Sequence, residues 1–160
     1  MSQAIISTRH GDITIEFLPE VAPNHVANFL ALAKSGFYDQ TLFHRVIPDF
    51  MIQGGDPNTK SGDKSLYGIG GSGKNVKAEF SKTPHNRGIV SAARSANKDS
   101  ASSQFFIVVA DASHLDNQYS AFGKVVSGME VVDLIVAEET DHRDNPITPV
   151  AITVKVVEEV

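Results

Sequence analysis

The chain has 160 residues, 41% of them hydrophobic, which predicts one domain over residues 1–160 with a single hydrophobic core. It contains no cysteine, and this excludes disulfides, thiolate catalysis and zinc–thiolate sites. The 14 Lys and Arg residues are scattered among 19 Asp and Glu residues, for a formal net charge of -5, so we expect no nucleic-acid partner, because duplex recognition depends on clustered basic residues.

The N-terminal segment predicts a β-hairpin. A signal peptide begins with basic residues followed by a long apolar stretch, and the opening sequence MSQAIISTRH has neither. No later segment has the length needed to span a bilayer, so we expect a cytoplasmic protein without a membrane partner. Residues 4–8 and 13–17 flank a turn at Gly11-Asp12, and the second run alternates apolar and polar side chains, as half-buried strands do.

Two helices are predicted from proline, glycine and apolar spacing. Pro23 suits the first position of a helix, where no N–H is needed, and Gly36 is placed to end it. An apolar stripe at helical spacing lies between them, formed by Val26, Phe29, Leu30 and Ala33. A second helix is predicted over residues 129–137, and residues 151–157 alternate as a terminal strand.

The middle of the chain is strand-like and punctuated by glycine. Candidate strands lie at residues 43–46, 50–54, 89–93, 105–109 and 121–126. Together with the three terminal strands they make about eight short strands beside two helices. Many short strands with glycine-rich turns are typical of an antiparallel barrel or a sandwich, and the pattern alone does not decide between them.

The densest unusual segment is residues 43–56, with the sequence FHRVIPDFMIQGGD. Because side chains two apart in a strand share a face, we expect Arg45 beside Phe43, and Gln53 beside Met51. Hydrogen-bond donors would then stand among bulky apolar side chains.

A second segment, residues 103–108 with the sequence SQFFIV, offers a similar mixture, with Gln104 and Phe106 on one face. Bulky apolar residues in strands are more often core than site, and an arginine among them often only extends to solvent. From the residues alone, a structural role is the better interpretation of both segments.

Residues 43–56 resemble the signature of the cyclophilins, F-H-R-x-I-P-x-F-M-x-Q-G-G-D, and match it at every specified position. Further matches follow in order along the chain: GFY at 36–38, SLYG at 65–68, GIVSAA at 88–93, SQFFI at 103–107 and FGKV at 122–125. The resemblance covers essentially the whole chain. It implies a mainly β fold, a closed eight-stranded antiparallel barrel capped by two α-helices.

The same resemblance implies a peptidyl-prolyl cis–trans isomerase, or rotamase, that rotates the bond before proline and assists protein folding. Such a site uses no metal, cofactor or covalent intermediate. The implied partners are proline-containing peptides and unfolded or folding proteins, and we expect a monomer.

Site residues are carried over by their position in the family motif. Arg45 matches the catalytic donor to the prolyl nitrogen, and Gln53 matches a residue that orients it and bonds the substrate backbone. The positions that line the proline pocket are matched by Phe50, Met51, Phe106 and Leu115. Ala93 and Gln104 match positions that flank the substrate chain.

Three positions depart from the family pattern. Arg94 stands where the family often has asparagine, and its side chain adds a charge near the substrate groove. His114 stands where the family often has a tryptophan that supports cyclosporin binding, so we expect reduced affinity for cyclosporin with isomerase activity retained. Tyr119 stands where a pocket histidine is common, and its ring offers similar packing on proline.

The glycine loop, residues 68–73 within the sequence GIGGSGKN, contains the G-x-G-x-x-G pattern of phosphate-binding loops. Such a loop must follow a buried strand and open a helix, and the flanking residues predict neither. We expect a flexible loop that borders the site for residues preceding proline and tunes substrate choice. The six histidines lack the spacing of metal ligands, so we expect no metal site.

Three interpretations follow from the sequence. The first is a prolyl isomerase. The second is a binding module of the same fold that holds proline-containing partners without useful catalysis. The third is a nucleotide-binding protein that uses the glycine loop, which the flanking residues disfavour. Arg45, Phe50, Gln53 and Phe106 together favour the enzyme.

Overall fold

The computed structural model describes residues 2–158, and within them the chain forms eight strands and two α-helices. The strands are β1 Ser2–Thr8, β2 Gly11–Phe17, β3 Arg45–Ile47, β4 Met51–Gly54, β5 Ile89–Ala92, β6 Phe105–Val108, β7 Ala121–Ser127 and β8 Thr153–Glu158. The helices are α1 Pro23–Lys34 and α2 Met129–Val136. The sequence did not predict the three 3-10 turns Pro57–Lys60, Lys64–Leu66 and Ser113–Leu115.

All strand pairs are antiparallel and form one sheet in the order β3-β4-β6-β5-β7-β2-β1-β8. The predicted mainly β architecture, with eight antiparallel strands and two helices, is therefore confirmed. Neighbours in this order are often distant in sequence, so segments from the whole chain meet on one face.

The closure of the barrel is weaker than the sequence predicted. Within the described residues, the edge strands β3 and β8 do not pair with each other, and the seam between them is bridged by residues 40–43 and 150–152. Phe43 N–H donates to Val150 O at 3.0 Å, and Ile152 N–H donates to Thr41 O at 2.9 Å. The sheet is thus a half-barrel joined by a short bridge, and β8 begins two residues later than predicted.

Helix α1 is held at both its start and its buried face. No side chain caps it at Ala22, and the Glu79 carboxylate instead accepts from the N–H groups of Asn24 and His25, at 3.3 and 2.8 Å. A carboxylate there satisfies free donors and matches the positive end of the helix dipole. On the buried face, the Phe29 ring lies 4.9 Å from that of Tyr38 and 5.4 Å from that of Phe105.

Alternation along the strands divides the buried side chains between two clusters. In β6, Phe105 and Ile107 enter the main core under the helices, whereas Phe106 and Val108 belong to a smaller cluster on the outer face of the sheet. This outer cluster carries the candidate site. Its other buried members are Met51, Ala112 and Leu115.

Phe43 does not share a face with Arg45, contrary to the expectation from two-residue alternation. Phe43 is fully buried in the main core, and Arg45 is exposed. The reason is that β3 begins only at Arg45, so residues before it do not follow the strand period. From Arg45 onward the alternation holds, because Val46 enters the main core and Ile47 packs on the outer cluster.

Candidate active site

The outer face of the sheet opens into a cavity of about 380 Å³, here called the main cavity. Its floor is apolar and well packed, because Met51, Phe106 and Leu115 are all almost completely buried. Nine of the residues that the sequence singled out line it: Arg45, Phe50, Met51, Gln53, Ala93, Arg94, Phe106, Leu115 and Tyr119.

Phe50 reaches this cavity from a turn rather than from a strand. The chain reverses between β3 and β4, where Asp49 has a positive φ of 62° and Phe50 N–H donates to Ile47 O at 3.1 Å. Phe50 O then accepts from Val109 N–H at 2.9 Å. The turn therefore places Phe50 beside Met51, although a regular strand would put these two residues on opposite faces.

The Arg45 guanidinium is only loosely held in the cavity. Arg45 and Gln53 are opposite residues of the β3–β4 pair, and Arg45 Nη1 donates to Gln53 Oε1 at 3.4 Å. Among the residues that the structure describes, this is the only hydrogen bond of its guanidinium. Since a guanidinium carries five N–H donors, most of them are available to a bound molecule.

A series of amide hydrogen bonds supports Arg45 from behind. Gln53 Nε2 donates to Gln104 Oε1 at 2.8 Å, and Gln104 Nε2 donates to Gly70 O at 2.9 Å. Each glutamine thus uses both ends of its amide, which fixes its orientation. The series links the arginine on β3 to the glycine loop.

Phe106 is backed by a buried histidine. The His85 ring lies 6.2 Å from the Phe106 ring at an interplanar angle of 20°, while its nitrogens contact Asp116 Oδ1 at 3.2 Å and Ser91 Oγ at 3.0 Å. This order of Asp, His and Ser is that of a nucleophilic triad. Ser91 has 0% exposure, however, so the arrangement supports the cavity wall and cannot meet a substrate.

Arg94 lies along the rim of the cavity. Its Nε and Nη2 donate to Gln118 O at 3.0 and 2.8 Å, and its guanidinium carbon is 4.6 Å from the centre of the Tyr119 ring. Stacking of this kind is favourable because the ring face is negative. The Tyr119 ring in turn meets Phe106 edge-on at 5.5 Å.

Two of the residues that the sequence singled out lie outside the main cavity. His114 is exposed on the short turn Ser113–Leu115 and packs against Phe50, with ring centres 5.6 Å apart. Gln104 borders the adjoining glycine-loop cavity, which measures about 450 Å³. Gln53, Ala93 and Arg94 border both cavities, so the two form one continuous groove.

The glycine loop forms one wall of this second cavity. The Asp56 carboxylate holds it, accepting from Gly68 N–H at 2.6 Å, and a Cβ at Gly70 would overlap that carboxylate. The loop follows the turn Lys64–Leu66 and leads to an isolated bridge at Val76. Within residues 2–158 it neither follows a strand nor opens a helix, so the nucleotide-binding interpretation is not supported.

A comparison with protein families identifies the chain. The family model described as cyclophilin type peptidyl-prolyl cis-trans isomerase/CLD matches residues 4–156. The chain belongs to the cyclophilin family. It is an enzyme of the class that the family name states, a peptidyl-prolyl cis–trans isomerase.

Individual relatives support the assignment. A probable peptidyl-prolyl cis–trans isomerase of Brucella abortus (strain 2308) is 47% identical over 136 residues, which cover 82% of this chain and 69% of that one. A peptidyl-prolyl cis–trans isomerase of Schizosaccharomyces pombe is 43% identical over 155 residues, 95% of this chain and 96% of its own. A Cryptosporidium parvum cyclophilin crystallised in the presence of the dipeptide Ala-Pro has a TM-score of 0.88 and 32% identity, and the match covers 99% of both chains.

Sequence reasoning missed several residues that line the main cavity of this cyclophilin. These are His44, Lys64, Tyr67, Arg143 and Asn145, whereas Gly68 belongs to the glycine loop that the sequence placed at the border of the site. His44 lies inside the signature and Tyr67 inside the SLYG match, so those motifs were available signals. Arg143 and Asn145 come from an irregular segment without periodicity, which offers none.

Two of these missed residues contain buried polar atoms. Within residues 2–158, both ring nitrogens of His44 and Oδ1 of Asn145 have no hydrogen-bond partner. Burial lowers the pKa of His44, which keeps its ring neutral. A neutral imidazole beside Arg45 adds no competing positive charge to the cavity.

Two further searches of residues 2–158 concern membranes and metals. Neither α1 nor α2 has the length and apolar character that crossing a bilayer requires. No cluster of three or more His, Asp or Glu residues in this part of the chain has a geometry that could hold a metal ion.

Proposed function

We propose that this cyclophilin rotates X–Pro bonds without covalent chemistry, using Arg45 as the donor to the prolyl nitrogen. Its substrates are proline-containing peptides and folding proteins. The observation that carries the proposal is a charged and largely unpartnered donor standing over an apolar floor. The Ala-Pro dipeptide named with the Cryptosporidium parvum cyclophilin fits a ligand of this kind.

The barrier to this reaction comes from amide resonance, which gives the C–N bond partial double-bond character. An X–Pro bond still takes tens to hundreds of seconds to isomerise unaided. In the twisted transition state the nitrogen lone pair is no longer shared with the carbonyl, so the nitrogen becomes a better acceptor. A donor aimed at that nitrogen stabilises the twisted state more than the planar one, and this difference is what accelerates a reaction.

Arg45 suits this role because a guanidinium is always charged and presents its N–H groups in a fixed plane. A hydrogen bond to a charged group contributes about 1.5–3 kcal/mol, and each tenfold in rate needs about 1.4 kcal/mol. One such bond formed only in the transition state therefore supplies about ten- to a hundredfold. Gln53 sets the direction of the guanidinium and bonds the substrate backbone.

The apolar floor holds one side of the rotating bond. Phe50, Met51, Phe106 and Leu115 surround space suited to a pyrrolidine ring. Ala93 and Gln104 then flank the chain on the side that leads to the glycine-loop cavity. Because the pocket holds the proline ring still while the preceding carbonyl turns, binding energy lowers the barrier to rotation.

The decisive experiment compares wild type with Arg45→Ala in a protease-coupled assay on a proline peptide. Wild type should accelerate isomerisation, and the variant should lose about ten- to a hundredfold in kcat/KM. Arg45 is exposed, so thermal unfolding should be nearly unchanged. Equal rates for wild type and variant would contradict the role of Arg45 as the donor.

The glycine loop is proposed to border the site for residues that precede proline. Its backbone lines the second cavity, and its Gly70 carbonyl ends the amide series from Arg45. Deleting residues 69–72 should change the relative rates on peptides that differ before proline. Unchanged rates across such a panel would contradict this role.

A further inference from the structure

The groove of this acidic protein is bordered by positive charge. Within residues 2–158, the lining of the main cavity contains no Asp or Glu, whereas it contains the basic residues Arg45, Lys64, Arg94 and Arg143. The whole chain has 19 acidic and 14 basic residues. The concentration of basic residues is therefore a property of the groove and not of the surface as a whole.

Three of these cations have no carboxylate partner among the described residues. Arg45 bonds only Gln53, as described above. Arg94 donates to the carbonyls of Gln118 and Ser95, and Arg143 Nη1 donates to Lys64 O at 2.9 Å.

The nearby acidic groups do not neutralise these three guanidinium groups. Asp141 pairs with the ammonium of Lys64 at 3.4 Å, and the Asp56 carboxylate is buried and accepts from backbone N–H groups. The charges of Arg45, Arg94 and Arg143 are thus available to a ligand.

The two arginines Arg94 and Arg143 lie on opposite sides of the main cavity. Val46 N–H donates to Asp144 O at 2.9 Å, which places the segment with Arg143 along the free edge of β3. Arg94 follows β5, on the far side of β4 and β6. With strands about 4.8 Å apart, Arg45 and the end of β5 are separated by about 14 Å, which four to five extended residues span.

We propose that the groove selects prolyl substrates that carry an anionic side chain, carboxylate or phosphoryl, within two residues of the proline. Arg94 and Arg143 are the specificity-determining residues, one for each direction along the substrate chain. Guanidinium groups suit this task because they bind carboxylates and phosphates through paired hydrogen bonds. This inference rests on the proposed function, since it concerns the substrates of that same site.

The test uses matched peptides in an exchange assay by nuclear magnetic resonance, which needs no coupled protease. Each peptide has Ala-Pro at its centre and Glu, Gln, Lys or phosphoserine one or two positions from the proline, on either side. For wild type at low salt we expect kcat/KM to be about three- to tenfold higher for Glu than for Gln, and lower for Lys. The preference should shrink in 0.5 M NaCl, because salt screens such contacts.

Arg94→Gln and Arg143→Gln should each reduce the Glu-to-Gln ratio, with Arg94→Gln acting on one side of the proline and Arg143→Gln on the other. Lys82→Gln is the matched control, because Lys82 is exposed and outside the lining of both cavities, and it should keep the wild-type ratio. Comparing two peptides on one protein sample cancels any loss of folded protein.

The outcomes separate this inference from the function on which it rests. Equal rates for Glu and Gln peptides in wild type, or a preference that survives both arginine changes, would overturn the inference. A faster rate for phosphoserine than for Glu would support it and assign the phosphoryl group as the better ligand. If the neutral Ala-Pro peptide itself were not accelerated, the proposed function would fail, and the inference with it.

Discussion

Arg45 and Gln53 face each other across the β3–β4 pair, and the glutamine carbonyl accepts from the arginine at 3.4 Å. The other end of the Gln53 amide donates to Gln104 at 2.8 Å. The contact to Arg45 is long and the contact to Gln104 is short, so the glutamine is anchored on the loop side. Arg45 is thereby guided without being held tightly, which leaves it able to turn toward a ligand.

Gln53→Leu should lower catalysis more than stability. Leucine fills a similar volume but neither accepts from Arg45 nor donates to Gln104, so the guanidinium loses its direction. We expect kcat/KM on a proline peptide to fall about fivefold, for the loss of about 1 kcal/mol of hydrogen bonding. Urea unfolding should change little because Gln53 is only half-buried. An unchanged kcat/KM would show that Gln53 does not position Arg45.

Gly70→Ala should disturb the loop through steric overlap. A Cβ there would meet the carboxylate of Asp56 and the side chain of Asn58, so we expect a loss of about 1–3 kcal/mol in the free energy of unfolding. Gly62→Ala is a control for backbone strain alone, because Gly62 has a positive φ of 77° and no atom within 4 Å of the added Cβ. It should cost only about 1 kcal/mol. Equal losses in urea unfolding would contradict the overlap.

Three buried histidines predict that the protein is less stable in mild acid. Burial lowers the pKa of His25, His44 and His85 below 6.5 in the folded state. Between these lowered values and pH 6.5 the unfolded chain binds more protons, so the stabilisation is complete above about pH 6.5 and is lost as the pH falls below it. Each histidine contributes up to about 1.4 kcal/mol per pH unit within its own window.

Urea unfolding at pH 7.5 and pH 5.5 measures this effect, and we expect a fall of about 1–3 kcal/mol in the free energy of unfolding. Carboxylates whose pKa is lowered, such as Asp141 with a pKa of about 2, lose their contribution to stability only at lower pH. A His142→Gln variant serves as the control, because His142 is exposed, and it should show the wild-type difference. Equal stability at both pH values would contradict a role for the buried histidines.

His114→Trp should raise the affinity for cyclosporin. An indole beside Phe50 adds about 50 Å² of apolar contact compared with an imidazole, and at about 25 cal/mol per Å² this amounts to about 1.3 kcal/mol, or about tenfold. The measurement is inhibition of isomerisation by cyclosporin in wild type and variant. His142→Trp, which adds the same side chain away from the cavity lining, should leave inhibition unchanged. Strong inhibition of wild type at low concentrations would contradict the prediction.

Local patterns predicted the regular elements well, because each rests on neighbouring residues. Helix α1 begins at Pro23 as predicted, and the alternation of Phe105 and Phe106 correctly divides β6 between two faces. The seam was not predictable in this way. It joins residues 40–43 to residues 150–152, and a bridge of so few residues leaves no periodic signal.

The residues of the candidate site likewise divide into those that local sequence predicts and those that it does not. Residues within contiguous motifs, such as Arg45, Gln53 and Phe106, were available to sequence analysis because the motif carries them together. Arg143 was not, since long-range contacts hold its segment beside the groove, among them the hydrogen bond from Val46 N–H to Asp144 O and that from Arg143 Nη1 to Lys64 O. Long-range contacts of this kind decide which loops border the groove, and they leave no mark on local composition.

The contact of Gln104 with the Gly70 carbonyl has a consequence for redesign. Every amino acid supplies a backbone carbonyl, so this support for Arg45 does not depend on which side chains the loop carries. Gly70 itself must stay small, whereas its neighbour Ile69 is 74% exposed and is free to change. Libraries that vary Ile69, which lines the glycine-loop cavity, can therefore alter what the groove accepts while the catalytic framework is preserved.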